Sequence, residues 1–280
     1  MGLLFSAHTL ACDIYGSTGI VEDNDLFIGV NDKGISSITE DQFNTILDDV
    51  GLIYAPIIES LGKKLVIERK WTDGTVNAYA QQSGRQWKIS MFGGLARHAT
   101  ITADAFALVA CHELGHHLGG APKKKTWISV SWASNEGQSD YWGTMKCLRK
   151  YMEKDDNVSI ISNMNIDPLA QVTCQQQFID ANDRAMCIRG AMAGLSLGNL
   201  FRALRNLSTE LKFDTPDPAV VSKTSHKHPA PQCRLDTYFS GALCDKDHYS
   251  DVDDRDASIG VCSRSRNEAV GVRPLCWFKP

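Results

Sequence analysis

The sequence has no apolar run long enough to cross a bilayer: its least polar stretch, residues 190–200, is too short and contains Ser196 and Asn199. It has no basic excess, because 33 acidic residues outnumber 29 lysines and arginines and give a formal net charge of −4. Its nine cysteines include no C-x-x-C pair. These absences argue against a membrane-spanning protein, a nucleic-acid-binding protein and a zinc-finger-type module.

The segment 110–120 contains the pattern H-E-x-x-H, with His112, Glu113 and His116 as its defined positions. On a helix the two histidines are separated by a rotation of only about 40°, so both imidazoles project from one face and can bind one metal ion. Glu113 lies roughly 100° round the helix from His112, where its carboxylate can reach a water on the metal without binding the metal itself. The alternative is a chance match on a buried helix, which a chain of this size carries on the order of once in a hundred cases.

A catalytic zinc site normally takes three protein ligands and leaves one position open. Glu136 follows His116 by twenty residues, and Asp140 lies four positions farther along. On a second helix, Glu136 can complete the ligand set while Asp140 accepts a hydrogen bond from the other ring nitrogen of a ligand histidine. The sequence therefore predicts one Zn²⁺ ion bound by His112, His116 and Glu136.

The two patterns together resemble the gluzincins, the zinc peptidases in which two histidines and a glutamate bind the metal. The N-E-x-x-S-D pattern at residues 135–140 is similar to that of the thermolysin family. Other motifs resemble the M48 peptidases, although M48 members usually place the third ligand much farther downstream; these motifs are N-A-Y-A at residues 77–80, G-G-L at residues 93–95, and His228-Pro229 with the later Arg234. The resemblance covers roughly residues 76–235.

The resemblance implies an α+β, zincin-like fold, in which a small mixed or antiparallel sheet packs on the active-site helix. A mainly helical second half and a disulfide-rich C-terminal segment would follow. We expect a single domain, residues 1–280. Its parts would be the sheet and active-site helix (13–120), a helical part with the third ligand (121–240) and a cysteine-rich tail (241–280).

The function implied by the resemblance is that of a zinc-dependent metalloendopeptidase acting on a peptide or protein substrate. Glu113 would be the general base, and His228, supported by Arg234, would stabilise the oxyanion; the alternative is that His228 is a surface loop histidine. Three other interpretations stay open. One is a catalytically restricted zincin that acts as a binding or regulatory module, and another is a zinc aminopeptidase, although the sequence lacks a G-x-M-E-N type motif for a free amino terminus. The third is a site that holds another metal or hydrolyses a non-peptide amide.

Local patterns predict the elements around the site. Thr39 caps a helix that continues to Gly62, and residues 64–71, 76–82 and 86–92 read as strands of a hairpin-rich sheet. By resemblance to zincins, residues 91–95 are the candidate for an exposed sheet edge on which an extended peptide can pair; an ordinary glycine-containing strand end is the alternative. Residues 214–232 contain four prolines and predict a loop.

We expect structural roles for the other histidines and for the loop between the metal-bearing segments. His117 is rotated about 100° from His116 and points away from the metal, while His8, His98 and His248 have no partner at ligand spacing. Residues 122–132 combine three lysines with Trp127 and Trp132. They can grip an acidic substrate, but a solvated loop with both tryptophans packed inward is the favoured interpretation.

Cysteine usage favours an exported, disulfide-bonded protein, whether periplasmic, attached to the cell surface or secreted. Cys12 stands apart after a short apolar stretch and faintly resembles a lipoprotein cleavage site, which makes it a candidate lipid anchor. The stretch that precedes it is alternatively a signal remnant or a first strand. The remaining cysteines allow many pairings, and a buried free thiol at Cys111 is one alternative. The locally economical pairings are Cys174–Cys187, Cys233–Cys244, Cys262–Cys276 and Cys111–Cys147.

Overall fold

The computed structural model describes residues 9–10, 19–32, 35–125, 127 and 129–280. Its class is α+β with two small sheets, as predicted. The strands are β1 (Thr9–Leu10), β2 (Lys64–Lys70), β3 (Ala78–Ser83), β4 (Gln86–Phe92), β5 (Lys123–Lys125) and β6 (Val130–Ser134). The helices are α1 (Glu40–Ser60), α2 (Gly93–Arg97), α3 (Ala103–Leu118), α4 (Glu136–Trp142), α5 (Arg149–Met152), α6 (Asn157–Ser162), α7 (Pro168–Gln177), α8 (Ala181–Leu204) and α9 (Pro231–Leu243).

The first long helix begins and ends where the sequence predicts. Thr39 and Gln42 form a capping box at the start of α1, so each side chain satisfies a backbone N–H group of the other. The chain leaves the helix through Gly62, which has a positive φ of 71°. One face of α1 is buried against the main core, through Phe43, Ile46, Leu47, Val50, Tyr54 and Ile58.

The larger sheet has the strand order β1-β3-β4-β2, which differs in part from the predicted hairpin-rich sheet. β3 and β4 do form an antiparallel hairpin, but β2 runs parallel to β4 on its other side. Between β2 and β3 the chain therefore passes from one side of β4 to the other. The buried Arg97 holds this crossing segment, because its guanidinium donates to the carbonyls of Trp71 and Asp73.

The predicted sheet edge at residues 91–95 is wrong. Met91 and Phe92 lie in an interior strand, where β3 pairs with Met91 on one side and β2 pairs with both residues on the other. Residues 93–97 form helix α2 instead of a strand. The edge strands of this sheet are β2 and β1, and β1 pairs with Gln81 and Gln82 of β3.

Helix α3 carries the H-E-x-x-H pattern through the centre of the main core. Thr102 caps its first turn by accepting from the Ala105 N–H, and almost every residue of the helix is buried. Helix α4 packs against α3, α9 packs against α4, and α8 packs against both α3 and α9, with a glycine-containing face where Gly194 contacts Tyr238. The predicted loop gives way to α9 at Pro231, a proline in the first turn of the helix, where it leaves no hydrogen bond unmade.

Four disulfides join the described residues, and two of the four predicted pairings are confirmed. Cys111–Cys147 links α3 to the π-helical segment Gly143–Leu148, and Cys174–Cys187 links α7 to α8. The other two predictions are wrong, because the structure pairs Cys233 with Cys276 and Cys244 with Cys262. Cys233 and Cys244 are separated by the length of α9, about 16 Å at 1.5 Å per residue, which is far beyond disulfide reach.

No helix within the described ranges is long and apolar enough to span a membrane. Cys12 and His8, the candidate lipid anchor and one of the histidines without a partner at ligand spacing, lie outside the described residues.

Candidate metal centre

Two helices bring His112, His116 and Glu136 together. Gly115 on α3 faces the backbone of Ser139 on α4 so closely that a Cβ atom there would lie 2.9 Å from the Ser139 Cα. This approach places Glu136, in the first turn of α4, opposite both imidazoles. Its carboxylate oxygens lie 3.3 Å from His112 Nε2 and 3.7 Å from His116 Nε2.

The ligand atoms of these three residues fit a metal ion. In a tetrahedral zinc site with bonds of about 2.0–2.1 Å, ligand atoms are about 3.3 Å apart, close to the separations seen here. His112 Nε2 and His116 Nε2 are buried and have no hydrogen-bond partner among the described residues. Two unpaired imidazole nitrogens beside a carboxylate form a donor set suited to zinc, so this group can hold a metal ion.

The opposite nitrogen of each histidine is fixed by a hydrogen bond. His112 Nδ1 lies 2.7 Å from Asp140 Oδ1, and His116 Nδ1 lies 2.9 Å from the Ser134 carbonyl oxygen. Because an Nδ1–H group donates in both bonds, the neutral form of each imidazole has its lone pair on Nε2, which faces Glu136. Local chain geometry thus selects the tautomer that a metal ligand needs.

The charges around the site favour a cation. Burial lowers the pKa of His112, but the Asp140 and Glu136 carboxylates outweigh burial and raise it to about 9. For His116 burial dominates, and it lowers the pKa to about 4, so this imidazole is neutral at physiological pH. Burial acts to raise the pKa of Glu136, but His228 and His116 hold it well below its ordinary range.

Asp140 is the centre of a buried hydrogen-bond network. Besides His112, it accepts from Arg234 Nε and Nη2 at 2.8 and 2.7 Å and from the Tyr238 hydroxyl at 2.6 Å. Burial alone would raise the pKa of Asp140, yet Arg234 and His112 lower it to about 2. The carboxylate is therefore ionised and held in one orientation toward His112.

Glu113 is fully buried, and neither of its carboxylate oxygens has a hydrogen-bond partner among the described residues. Burial raises the pKa of Glu113 to about 8, with a further contribution from the nearby Glu136 carboxylate. A carboxyl group of this kind exchanges its proton near neutral pH, as a general acid–base group requires.

His228 and Arg234, predicted from resemblance alone, both lie at the metal centre. His228 Nε2 lies 3.1 Å from Glu136 Oε2 and 2.8 Å from the Gly19 carbonyl oxygen. The His228 side chain is buried, which contradicts the alternative of a surface loop histidine. Arg234 bonds Asp140, and Asp140 bonds His112, so Arg234 is connected to the ligand group through Asp140.

The sequence interpretation missed Tyr238 and the Ser134 carbonyl. Tyr238 follows Arg234 by four residues on α9, so helical spacing places both side chains on the face that meets Asp140. The spacing of these two residues is informative only if α9 is predicted, and α9 begins just within the range predicted to be a loop. A backbone acceptor such as the Ser134 carbonyl cannot be recognised from residue type, because every residue has a backbone carbonyl.

The residues beside the ligands have structural contacts. The His117 ring is stacked between Trp87 and Trp132, with ring centroids 5.1 and 4.9 Å away, consistent with a side chain directed away from the metal. Trp132 thus packs inward as predicted, but Trp127 is fully exposed, so that part of the prediction is wrong. His98 bonds Thr100, and His248 bonds Glu153.

No protein-family model, curated protein or solved structure matches this chain. The proposed chemistry therefore depends on the residues of the site and on the sequence motifs.

Proposed function

We propose that the protein is a zinc-dependent metalloendopeptidase of the gluzincin type. The observation that carries the proposal is the conjunction of His112, His116 and Glu136, whose ligand atoms converge, with a buried carboxyl group at Glu113 that has no hydrogen-bond partner in the described part of the chain. A structural metal site has no need of that fourth group. The motifs that resemble M48 and thermolysin-family peptidases support the same proposal and its zincin-like fold.

His112, His116 and Glu136 would hold the ion. When bound, Zn²⁺ supplies a Lewis acid that activates water and polarises the scissile carbonyl. Glu113 accepts the proton from the attacking water and then delivers it to the leaving amine, and its raised pKa suits both transfers. Asp140, held by Arg234, keeps the His112 ring in the orientation and tautomer that ligation requires.

His228 is the candidate donor to the oxyanion of the tetrahedral intermediate. Its Nε2 already lies within hydrogen-bond distance of the ligand Glu136 and of a backbone carbonyl. A small rotation of the ring would aim the same N–H at a substrate oxygen between them. Such a preorganised donor in a buried site is the usual source of oxyanion stabilisation.

The substrate in this proposal is an extended polypeptide, and the location is extracytoplasmic. Strand β3 lies beside α3, and a peptide that displaced the chain paired with the outer side of β3 could add there by backbone hydrogen bonds. Four disulfides are compatible with an oxidising compartment outside the cytoplasm.

The test compares the parent with Glu113→Gln and with Glu59→Gln, an exposed glutamate at the end of α1 that serves as control. All three proteins should bind one zinc by elemental analysis. We expect Glu113→Gln to lose about 10²–10⁴-fold of the cleavage rate on a denatured protein mixture, because a general base contributes about that much, while Glu59→Gln is unchanged. Zinc binding without cleavage by the parent would contradict the endopeptidase proposal, and absence of zinc would contradict the metal site itself.

A further inference from the structure

A segment of the same chain lies against His228 and Arg234, which adjoin the candidate metal centre. Residues 19–28, named the strap here, run antiparallel to residues 74–78, which lead into β3. Residue numbers decrease along the strap as they increase along its partner. Ile28 N–H donates to the Gly74 carbonyl at 2.7 Å, Phe27 bridges to Thr75, Asn24 Nδ2 donates to the Val76 carbonyl, and Ile20 N–H donates to the Ala78 carbonyl at 3.0 Å.

The strap reaches the metal centre at its N-terminal end. The Gly19 carbonyl accepts from His228 Nε2 at 2.8 Å, and the same nitrogen lies 3.1 Å from the ligand Glu136. The next carbonyl, of Ile20, accepts from Arg234 Nη1 at 2.6 Å, and Arg234 holds Asp140. Two successive strap carbonyls therefore use donors that belong to the site.

The covered site is closed to a polypeptide. His112, His116 and Glu136 are at most 4% exposed, and the Glu113 side chain is wholly buried. A scissile carbonyl must come within hydrogen-bond distance of these groups, so some element has to move before a protein substrate binds. The strap pairs with residues 74–78, which continue into β3, and it contacts the candidate oxyanion donor His228; farther along, β1 pairs with β3 at Gln81 and Gln82.

From these contacts we infer that the strap is an autoinhibitory segment that occupies the place of an extended peptide substrate. This inference depends on the proposed function. The closed conformation does not admit a polypeptide, so the parent cleaves only while the Gly19 end of the strap is displaced, which removes the Gly19 carbonyl from His228 and opens the outer side of residues 74–78. The other end is held more firmly, because the buried Arg97 donates two hydrogen bonds to the Ile28 carbonyl. We therefore expect the strap to open at Gly19, between its attachment at Ile28 and the pairing of β1 with β3.

The packing beside the strap is consistent with opening at that end. A cavity of about 80 Å³ lies between the strap, the C-terminal end of α8 and His228-Pro229. The ion pair of Glu22 with Arg205 is exposed, so it adds little to the attachment. Ile20 is fully buried, and its removal from the core is the main resistance to opening.

Gly19 provides a test that leaves every site residue intact. It has a positive φ of 82°, and a Cβ atom there would lie 2.3 Å from both the Ala78 carbonyl oxygen and Asn77 Oδ1. Gly19→Ala in the full chain should therefore displace the Gly19 end of the strap from residues 77 and 78. The matched control is Gly84→Ala in the β3–β4 turn, which has a positive φ of 58° and nothing within 4 Å of the added atom.

Three readouts separate the inference from the proposed function: transfer of bound zinc to a colorimetric chelator, amide hydrogen exchange at Ile20, and cleavage of denatured protein. We expect Gly19→Ala to accelerate each on the order of tenfold relative to Gly84→Ala, since backbone strain shifts a local opening equilibrium by about that factor. Adding Glu113→Gln should abolish the cleavage and leave the other two readouts accelerated.

Equal zinc transfer, exchange and cleavage in Gly19→Ala and Gly84→Ala would overturn the autoinhibitory strap, while cleavage by the parent would still support the peptidase. Accelerated zinc transfer and exchange without cleavage by any variant would support the cover and contradict the peptidase. Should Gly19→Ala fail to fold, Asn24→Ala removes the bond to the Val76 carbonyl with less strain. It should accelerate zinc transfer in the same direction, and no acceleration would count against the strap.

Discussion

Arg234 holds Asp140 in a two-point hydrogen-bonded pair, with Nε bound to Oδ2 at 2.8 Å and Nη2 bound to Oδ1 at 2.7 Å. Both residues are buried, so each charge depends on the other for compensation. The pair joins α9 to α4, and through His112 it extends to α3. Its role can be tested separately for the fold and for the metal.

Replacing Arg234 with methionine should destabilise the fold severely. The change leaves the Asp140 carboxylate buried without its counter-charge, and breaking a buried pair in this way costs about 3–5 kcal/mol. Urea unfolding of the metal-free protein measures the loss. The control is Arg69→Met, which breaks the exposed pair with Asp48 and should cost less than about 1 kcal/mol. Similar losses in both variants would show that the Arg234 pair is not exceptional.

Asp140→Asn should weaken zinc binding while the ligands remain in place. An amide is a poorer acceptor for the His112 Nδ1–H than a carboxylate, and loss of such a partner reduces metal affinity by about 10–100-fold. Chelator competition measures the affinity. Asp48→Asn, far along the chain from the metal-bearing helices and exposed, is the control with the same change of charge. Unchanged affinity in Asp140→Asn would mean that Asp140 supports the fold alone.

Removing the Cys111–Cys147 disulfide should reduce both stability and zinc affinity. The bond closes a loop with a sequence separation of 36, for which the chain-entropy estimate is about 4 kcal/mol, and Cys111 adjoins the ligand His112. The double alanine variant is compared with that of Cys174–Cys187, which has a sequence separation of 13 and an estimate of about 3 kcal/mol. Thermal unfolding and zinc competition should show both effects for the first pair and the stability effect alone for the second.

Asp236 should make the folded protein less stable as the pH rises from about 4 to 6. Burial raises the pKa of Asp236 to about 6 from an ordinary value of 3.8, so the folded state holds the proton more tightly than the unfolded state. Between these pKa values the unfolded chain binds fewer protons, and the free energy of unfolding falls as pH rises. Well above pH 6 the free energy of unfolding is lowered by the full cost of ionising the buried Asp236.

Asp236→Asn should remove this part of the pH dependence. Urea midpoints at pH 4.5 and 7.5 give the comparison, and Asp41→Asn in the exposed first turn of α1 controls for loss of an acidic charge. If the parent and Asp236→Asn show the same difference between the two midpoints, the carboxyl group is not the source of the slope.

The metal-ligand group could be predicted because each half of it is a local helical pattern. His112 and His116 share a face by spacing alone, and Glu136 and Asp140 repeat that spacing. Their meeting, however, requires the contact of Gly115 with Ser139, which no periodicity encodes. Helix α1 was predictable for the same local reason, since Thr39 and Gln42 announce its first turn.

The errors concern partners that are distant in sequence. The alternation of residues 64–70 predicts a strand but does not say that its neighbour is β4 rather than β3. Disulfide pairing by short loops failed at Cys233 and Cys244, because the intervening residues form a rigid helix that keeps the two thiols apart. Tyr238 was missed because the prolines of residues 214–232 predict a loop, and that range includes the first residues of α9.

The stacking of His117 between Trp87 and Trp132 gives the protein an internal optical probe. Two of its six tryptophans contact the residue that directly follows the ligand His116. Burial lowers the pKa of His117 to about 3, so the ring stays neutral across the physiological range and does not itself alter the indole emission by changing charge. A change in tryptophan fluorescence on adding zinc that is lost in Trp87→Phe and Trp132→Phe would therefore report movement of the C-terminal end of α3 against β4 and β6, without any label.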